Sequence, residues 1–250
     1  MNNRVSHCSN EILSDPVRKF RYNKILFKTI APVYDNITRV LSLGRDQKWK
    51  NMMISWLPDE CSGVVLDIAC GTGDLVQALS TRYENAMVLG ADMTLDMVKS
   101  AEMKTAGSNN TFFTCQNLNS LSLKDKSVAV ITGGYALRNS PDLYSLITEI
   151  KRVILPGGII AFLDFSRYPG RLSGMIQSVV LFLWGALWGI VFHGNYRVYS
   201  YISRSLNTFP VPEKLDAIFK RSGFTILKSR YLFLGTVRIF IAQKNHPDND

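Results

Sequence analysis

The stretch Val64-Val-Leu-Asp-Ile-Ala-Cys-Gly-Thr-Gly-Asp74 decides how this chain is read. β-favouring apolar residues run into an aspartate, and a turn of small residues follows. That is the pattern of a buried strand ending in a nucleotide-binding loop. Gly71 and Gly73 carry no Cβ, so the backbone can turn tightly and approach a ligand closely. A dinucleotide fingerprint, G-x-G-x-x-G, needs a third glycine that packs the helix onto the strand. Val76 stands at that position. No Gly-Lys-Ser/Thr run follows, so there is no phosphate-cradling P-loop. The loop suits a nucleoside better than a pyrophosphate.

Outward from the loop the pattern alternates. Residues 87–91, 111–115, 128–132 and 159–164 read as further strands, with helices predicted over 74–83, 95–103 and about 142–154. Pro156-Gly-Gly158 predicts a turn into the fifth strand. Such alternation implies a parallel sheet with right-handed crossovers. A helix over 211–222 stops at Gly223, and strands over 224–231 and 236–242 close the sheet in antiparallel fashion. Before the loop, apolar residues recur near helical spacing at Phe20, Ile25, Phe27 and Ile30, at Val33, Ile37, Val40 and Leu41, and at Trp49, Met53, Trp56 and Leu57, with breaks at Pro32, Gly44 and Pro58. The expected fold is α/β: a Rossmann-like, seven-stranded, mostly parallel sheet with a closing antiparallel strand. Residues 1–60 form an N-terminal helical lid. The main domain is 61–250, with an apolar helix inserted before the last helix.

The hydrophobic share of 46% and charged share of 20% are those of a globular chain with a real core. The net charge of +9 is unevenly placed. Residues 1–150 hold 16 Lys and Arg against 15 Asp and Glu, and residues 151–250 hold 13 against 5, so the two parts carry +1 and +8. A basic half points to an anionic surface, lipid or nucleic acid, although a high pI also occurs without a partner. Cys8, Cys61, Cys70 and Cys115 form no C-x-x-C pair and no metal spacing with the histidines, so no metal is expected. Cys70 and Cys115 read as small core residues. This usage suits a reducing, cytoplasmic compartment. Residues 1–10 are polar, with no secretory h-region.

Residues 172–196 contain no Asp, Glu, Lys or Arg. The dense apolar core, 179–192, is shorter than the ~20 residues a bilayer span needs. The strands after it are also required by the sheet begun before it. The segment therefore reads as an in-plane or substrate-capping helix, with an ordinary buried helix as the alternative.

Ligands of an open parallel sheet sit beyond the carboxyl ends of its strands. Asp67, Asp92, Asn117, Gly133 and Asp164 fall at or just past those ends. An ionised Asp92 offers two oxygens to a ribose diol, or it serves as a helix N-terminal acid. Asn117 can both donate to and accept from an adenine edge. Thr72 and Asp74 open the first helix, where Asp74 can act as a cap.

Taken in order, the glycine loop, Ala91-Asp-Met-Thr94, Tyr135-Ala-Leu-Arg-Asn139, Arg152–Gly158 and Leu163-Asp-Phe-Ser166 resemble the class I S-adenosylmethionine-dependent methyltransferases. Two more pieces, Ala31-Pro-Val-Tyr-Asp35 with Leu41-Ser-Leu-Gly44 and Trp49, and Tyr199–Ser205 with Phe209-Pro210, are similar to the C-methyltransferases of ubiquinone and menaquinone biosynthesis. The resemblance spans about residues 27–243. It implies that Asp67, Gly71, Thr72 and Gly73 line the cofactor loop, that Asp92 holds the ribose, and that Met93 packs near the adenine. It places Asn117 and Leu118 at the adenine edge and Tyr34 over the cofactor, with Arg138 and Asn139 facing a quinone ring. Asp164 replaces the family's usual glutamate, and Tyr135-Ala136 replaces Phe-Gly.

The implied reaction moves a methyl group from S-adenosyl-L-methionine to a ring carbon of a polyprenylated, lipophilic quinol. Arg138 would stabilise the phenolate, with pairing to Asp142 as its structural alternative, and Asp164 or His193 would take the proton. Peripheral contact with an anionic membrane, at its cytoplasmic face, follows from the tail, and a homodimer stays open. Alternatives are another lipid or small-molecule acceptor, an RNA methyltransferase, or a binding protein without turnover. No catalytic Asn-Pro-Pro-Tyr run is present, and the basic residues flank an apolar helix rather than interleaving with aromatics, so no nucleic acid partner is expected.

Overall fold

A computed structural model describes Val5 and residues 8–246. The N-terminal segment forms helices α1 (Asn10–Ser14), α2 (Pro16–Ile30), α3 (Tyr34–Leu41) and α4 (Asp46–Ile54). Asp15 caps α2 by accepting from the Val17 and Arg18 amides, and Pro16 opens the helix where no amide donor is needed. Then come β1 (Val64–Ile68), α5 (Asp74–Arg82), β2 (Met87–Asp92), α6 (Leu95–Lys104), β3 (Thr111–Cys115) and β4 (Val128–Gly134). They are followed by α7 (Ala136–Asn139), α8 (Leu143–Val153), β5 (Ile154–Phe165), α9 (Arg171–His193) and α10 (Arg197–Thr208). The chain ends on α11 (Pro212–Arg221), β6 (Phe224–Leu232) and β7 (Val237–Lys244).

The seven strands run in the order β3-β2-β1-β4-β5-β7-β6. β7 pairs antiparallel with both β5 and β6, so it is the one reversed strand of the sheet. The order turns back between β1 and β4, and the crevice at that switch point faces the Val64–Asp74 loop. β1 alternates its faces. Leu66 and Ile68 enter a core with Ile131, Leu146, Phe162 and Phe219, while Val65 enters the opposite one with Met53, Val76 and Leu79. A strand covered on both sides has to be apolar nearly throughout, which is why β1 is legible from its sequence.

Three elements differ from expectation. β5 already pairs at Ile154 with Val128, then loops through Gly157 (φ +71°) and resumes pairing at Ile159 with Val130. The Pro-Gly-Gly turn is thus a bulge within the strand rather than its start. Cys115 is exposed, because β3 is the edge strand. The apolar helix α9 has a partner helix, α10, before the last helix α11.

α9 is no core helix. Leu172, Met175, Val179, Leu183, Leu187, Ile190 and Val191 are exposed, whereas Gln177, Gly185 and Gly189 are its buried positions. A Cβ on Gly185 would lie 2.5 Å from the Tyr199 carbonyl oxygen, and one on Gly189 would lie 2.6 Å from that of Asn195. Glycine therefore permits the closest approach of α9 to the chain at and before α10. The helix is long and apolar enough to cross a membrane. Yet β5 before it pairs with β7 after it, so both ends of α9 lie on the same side of any bilayer. The N-terminal helices divide. Trp49 and Met53 of α4 join a sheet core, while α1, α2 and α3 pack with Val198, Tyr199 and Tyr201 of α10.

Candidate active site

The loop after β1 is held by two aspartates at strand ends. Asp67 is buried and accepts a hydrogen bond from Thr132 Oγ1 at 2.6 Å across to β4. Burial lifts its carboxyl from 3.8 to about 7. Asp92, ending β2, accepts from the Gly71 amide at 3.0 Å and from the Thr94 amide at 2.8 Å. One carboxylate thus ties the glycine loop to the start of α6. Burial also raises the carboxyl of Asp92. Two backbone bonds do not exhaust a carboxylate, which has about four acceptor positions.

A narrow cavity lies over this frame. Tyr34, Gly71, Asp92, Met93, Asn117 and Leu118, all expected at a cofactor site, line it together. A Cβ on Gly71 would sit 3.6 Å from the Tyr34 ring, so Tyr34 covers the loop directly. Asp67, Thr72 and Gly73 do not line the cavity. Gly73 (φ +88°) would bring a Cβ to 2.8 Å from that of Ala101, so it sets the packing of the loop on α6. Thr72 Oγ1 donates to Asp35 of α3, and Lys104 Nζ reaches Asp35 at 2.7 Å and also binds Asp74. Lys50 bridges Asp74, at 2.9 Å, and Asp46. Asp74 is therefore part of an ion network that fastens α3, α4 and α6 to the loop. Phe27, Ala69, Met97 and Asn119 also line the cavity and were not expected there. Phe27 comes from α2, and only its closeness to the Ala31–Asp35 motif hinted at it.

The cavity's acceptors and apolar surface suit a nucleoside. Asp92 has acceptor capacity for a diol, while Met93, Met97 and Leu118 supply apolar faces. Asn119 Oδ1 and Asn139 Oδ1 are buried with no hydrogen-bond partner, two acceptors at the wall for a ligand's N–H or O–H donors.

A second, larger cavity of about 790 Å³ adjoins the first, and Phe27, Tyr34, Tyr135 and Asn139 line both. Its walls come from α2, α3, α9, α10 and the β6–β7 turn, and they are overwhelmingly apolar. Arg138 lines this cavity. Its guanidinium donates to Ser205 Oγ and lies 5.0 Å from the Phe165 ring centroid. Its buried Nε has no hydrogen-bond partner, with Asp164 Oδ1 3.7 Å away.

The pairing of Arg138 with Asp142, the structural alternative read from sequence, does not form. Asp142 caps α8 through the Tyr144 and Ser145 amides, and Arg138 lies beside Asp164. Asp164 lines neither cavity. Its carboxylate accepts from the Arg138 amide at 3.0 Å and the Phe165 amide at 2.7 Å. Expected as a proton acceptor, it stands behind Arg138, off both cavity walls. His193 is also off the cavity wall, its Nε2 2.8 Å from the Tyr199 hydroxyl.

A switch-point crevice, a strand-end acid under a glycine loop and an adjoining apolar cavity sit on a Rossmann-like fold, and the class is that of the S-adenosylmethionine-dependent methyltransferases. A solved S-adenosylmethionine-dependent methyltransferase from Aquifex aeolicus shares the fold, with a TM-score of 0.60 at 16% identity, covering 84% of this chain and 97% of that one. The model of the ubiE/COQ5 methyltransferase family matches residues 17–244, and the chain belongs to that family. It is a C-methyltransferase dependent on S-adenosylmethionine. A Desulfotalea psychrophila protein named ubiquinone/menaquinone biosynthesis C-methyltransferase is 32% identical over 217 residues, 86% of this chain and 87% of its own. A Thermus thermophilus demethylmenaquinone methyltransferase is 31% identical, covering 88% of this chain and 100% of its own.

Proposed function

We propose that this chain methylates a ring carbon of a polyprenylated quinol, the demethyl precursor of a respiratory quinone. One observation carries the reading: the narrow cavity that holds the Asp92 carboxylate meets a larger apolar cavity at Tyr34, Tyr135 and Asn139. A nucleoside in the first and a hydrocarbon-tailed ring in the second would touch at that junction. The relatives' printed names supply the quinone chemistry.

Bound S-adenosylmethionine supplies an electrophilic methyl group. The chain's own residues bind and orient. Asp92 takes the ribose hydroxyls, Asn117 and Leu118 meet the adenine edge, Met93 packs on its face, and Tyr34 closes over the loop. Asp67, Thr72 and Gly73 act from behind, fixing the loop's shape. On the acceptor side the ring hydroxyl gives its proton to solvent water and Arg138, permanently charged, stabilises the phenolate. The ring carbon takes the methyl group, leaving S-adenosylhomocysteine, and the displaced ring proton also passes to water. Asn139 offers Oδ1 to a ring hydroxyl. Asp164 is a positioning residue that holds the Arg138 backbone.

A tailed quinol resides in a bilayer, so the enzyme works at the cytoplasmic membrane face, with exposed α9 and the basic C-terminal part against anionic lipid. The test is complementation of a bacterial strain lacking its quinone C-methyltransferase, with quinones read by mass spectrometry. Restored methylated quinone is the expected result. Unaltered demethyl precursor, with the chain expressed and folded, rejects the reading.

A further inference from the structure

The mouth of the large cavity is built from three separate pieces of chain. Leu43 follows α3, Phe233 and Leu234 form the β6–β7 turn, and Ile176, Val180 and Leu183 lie along α9; all line the cavity. Leu43 is 57% exposed, Leu234 is 96% exposed, and Val180 and Leu183 are 58% and 61% exposed. A side chain that lines a cavity and is also more than half exposed marks an opening. This opening is rimmed by hydrocarbon.

The backbone adds an independent observation. Leu43, Phe233 and Leu234 have φ of +52°, +50° and +56°. Left-handed backbone is costly for a non-glycine residue, and glycine or asparagine is the usual occupant. Leu234 is thus both strained and almost fully in water. Moving its side chain from water into hydrocarbon is favourable and offsets the strain.

Charge identifies the medium. From residue 165 to residue 212 the chain has four arginines, Arg167, Arg171, Arg197 and Arg204, and no Asp or Glu. Exposed Arg45, two residues past Leu43, lies 5.8 Å from the Phe233 ring centroid. The Arg45 guanidinium beside the Phe233 ring, and a flanking segment that is basic with no acid, match an anionic headgroup layer over acyl chains.

We propose that Leu43, Phe233 and Leu234, with the Ile176–Val180–Leu183 stripe of α9, form a portal that inserts into an anionic lipid leaflet. The polyprenyl tail passes between the two tips and α9 and keeps its contact with lipid, while the ring moves inward to Arg138. This rests on the polyprenyl quinol reading.

The test compares the wild type with the double variant Leu43→Asn/Leu234→Asn, since asparagine accepts left-handed backbone and keeps the turns. Two probes are used under reducing conditions: a long-tailed 1,4-naphthoquinol in phosphatidylglycerol vesicles, and the same ring with a short alkyl group in solution. We expect turnover of the vesicle-borne probe to fall at least ~10-fold. The soluble probe should stay within about 2-fold, and flotation with the vesicles should drop, at an unchanged Tm. Equal losses on both probes, or no loss on either, overturns the portal. If the wild type methylates neither probe, the quinol reading fails, and flotation alone judges the portal: equal recovery of variant and wild type with the vesicles rejects it.

Discussion

Lys19 Nζ donates a hydrogen bond to the Arg138 carbonyl at 3.2 Å, inside the protein. One turn further along α2, Asn23 Nδ2 donates to the Asn139 carbonyl at 2.6 Å. A single helix face therefore holds the backbone of the turn that carries Arg138 and Asn139. The cost is a buried ammonium: desolvation, then repulsion from Arg138, lowers Lys19 from 10.5 to about 8.

That cost predicts a pH dependence. Below pH 8 the folded chain carries the charge at a desolvation penalty. Between about 8 and 10.5 it releases the proton while the unfolded chain keeps it. The unfolded state then binds more protons, so this site makes stability rise with pH across that window. Relative to Lys19→Met, the wild type should gain on the order of 3 kcal/mol as the window is crossed. Urea unfolding of both proteins at several pH values measures the difference. A flat one would show that Lys19 is not desolvated.

Asp92 should dominate cofactor affinity. Asp92→Ala removes the acceptor for the diol and leaves the Gly71 and Thr94 amides without theirs. Calorimetry with S-adenosylhomocysteine should show binding weakened roughly 10–100-fold, the value of a hydrogen bond to a charged group. Wild-type affinity in this variant would remove Asp92 from the site.

Arg138 should act on turnover and not on cofactor binding. Arg138→Lys keeps the charge, but an ammonium lacks the planar fork that meets Ser205 and lies beside Asp164. We expect kcat to fall more than ~10-fold in Arg138→Lys, and further in Arg138→Ala, with S-adenosylhomocysteine affinity intact. Smaller losses would mean that Arg138 only packs the turn.

Of the three glycines in α9, Gly174 and Gly185 should respond oppositely to alanine. At Gly185 a Cβ would meet backbone oxygen at 2.5 Å, so Gly185→Ala has to spread α9 from α10 and should cost about 1–3 kcal/mol. At Gly174 the nearest atom is 3.4 Å away, and helix propensity favours alanine by up to about 1 kcal/mol. Thermal unfolding should order the proteins as Gly174→Ala at or above wild type, and Gly185→Ala below. The reverse order would contradict the close helix contact.

Much was legible because local physics wrote it. Strands buried on both faces must be apolar runs, so β1, β2 and β4 could be found and the parallel sheet inferred. A strand end followed by Gly71 and Gly73 marks a ligand loop, and Asp92 falls at the next strand end. α10 was missed. Its serines and tyrosines face α9, α2 and Arg138, and their polarity hides a helix that is buried by other helices. Cys115 was misjudged because a strand's place at the sheet edge is not written in the strand.

By itself the sequence determined the sheet, the nucleoside loop and the residues clustered at its strand ends, since each follows from periodicity or from backbone freedom within a few neighbours. Tertiary structure alone decided what those residues do to one another. It set Asp164 behind Arg138 rather than at the cavity, because three-dimensional packing gave its carboxylate to backbone amides. It turned the apolar face of α9 outward, because two glycines and a polar partner helix, not hydrophobicity, fixed which side is buried. And it brought Leu43 and Leu234, 191 positions apart, to one rim, a relation that no local pattern encodes.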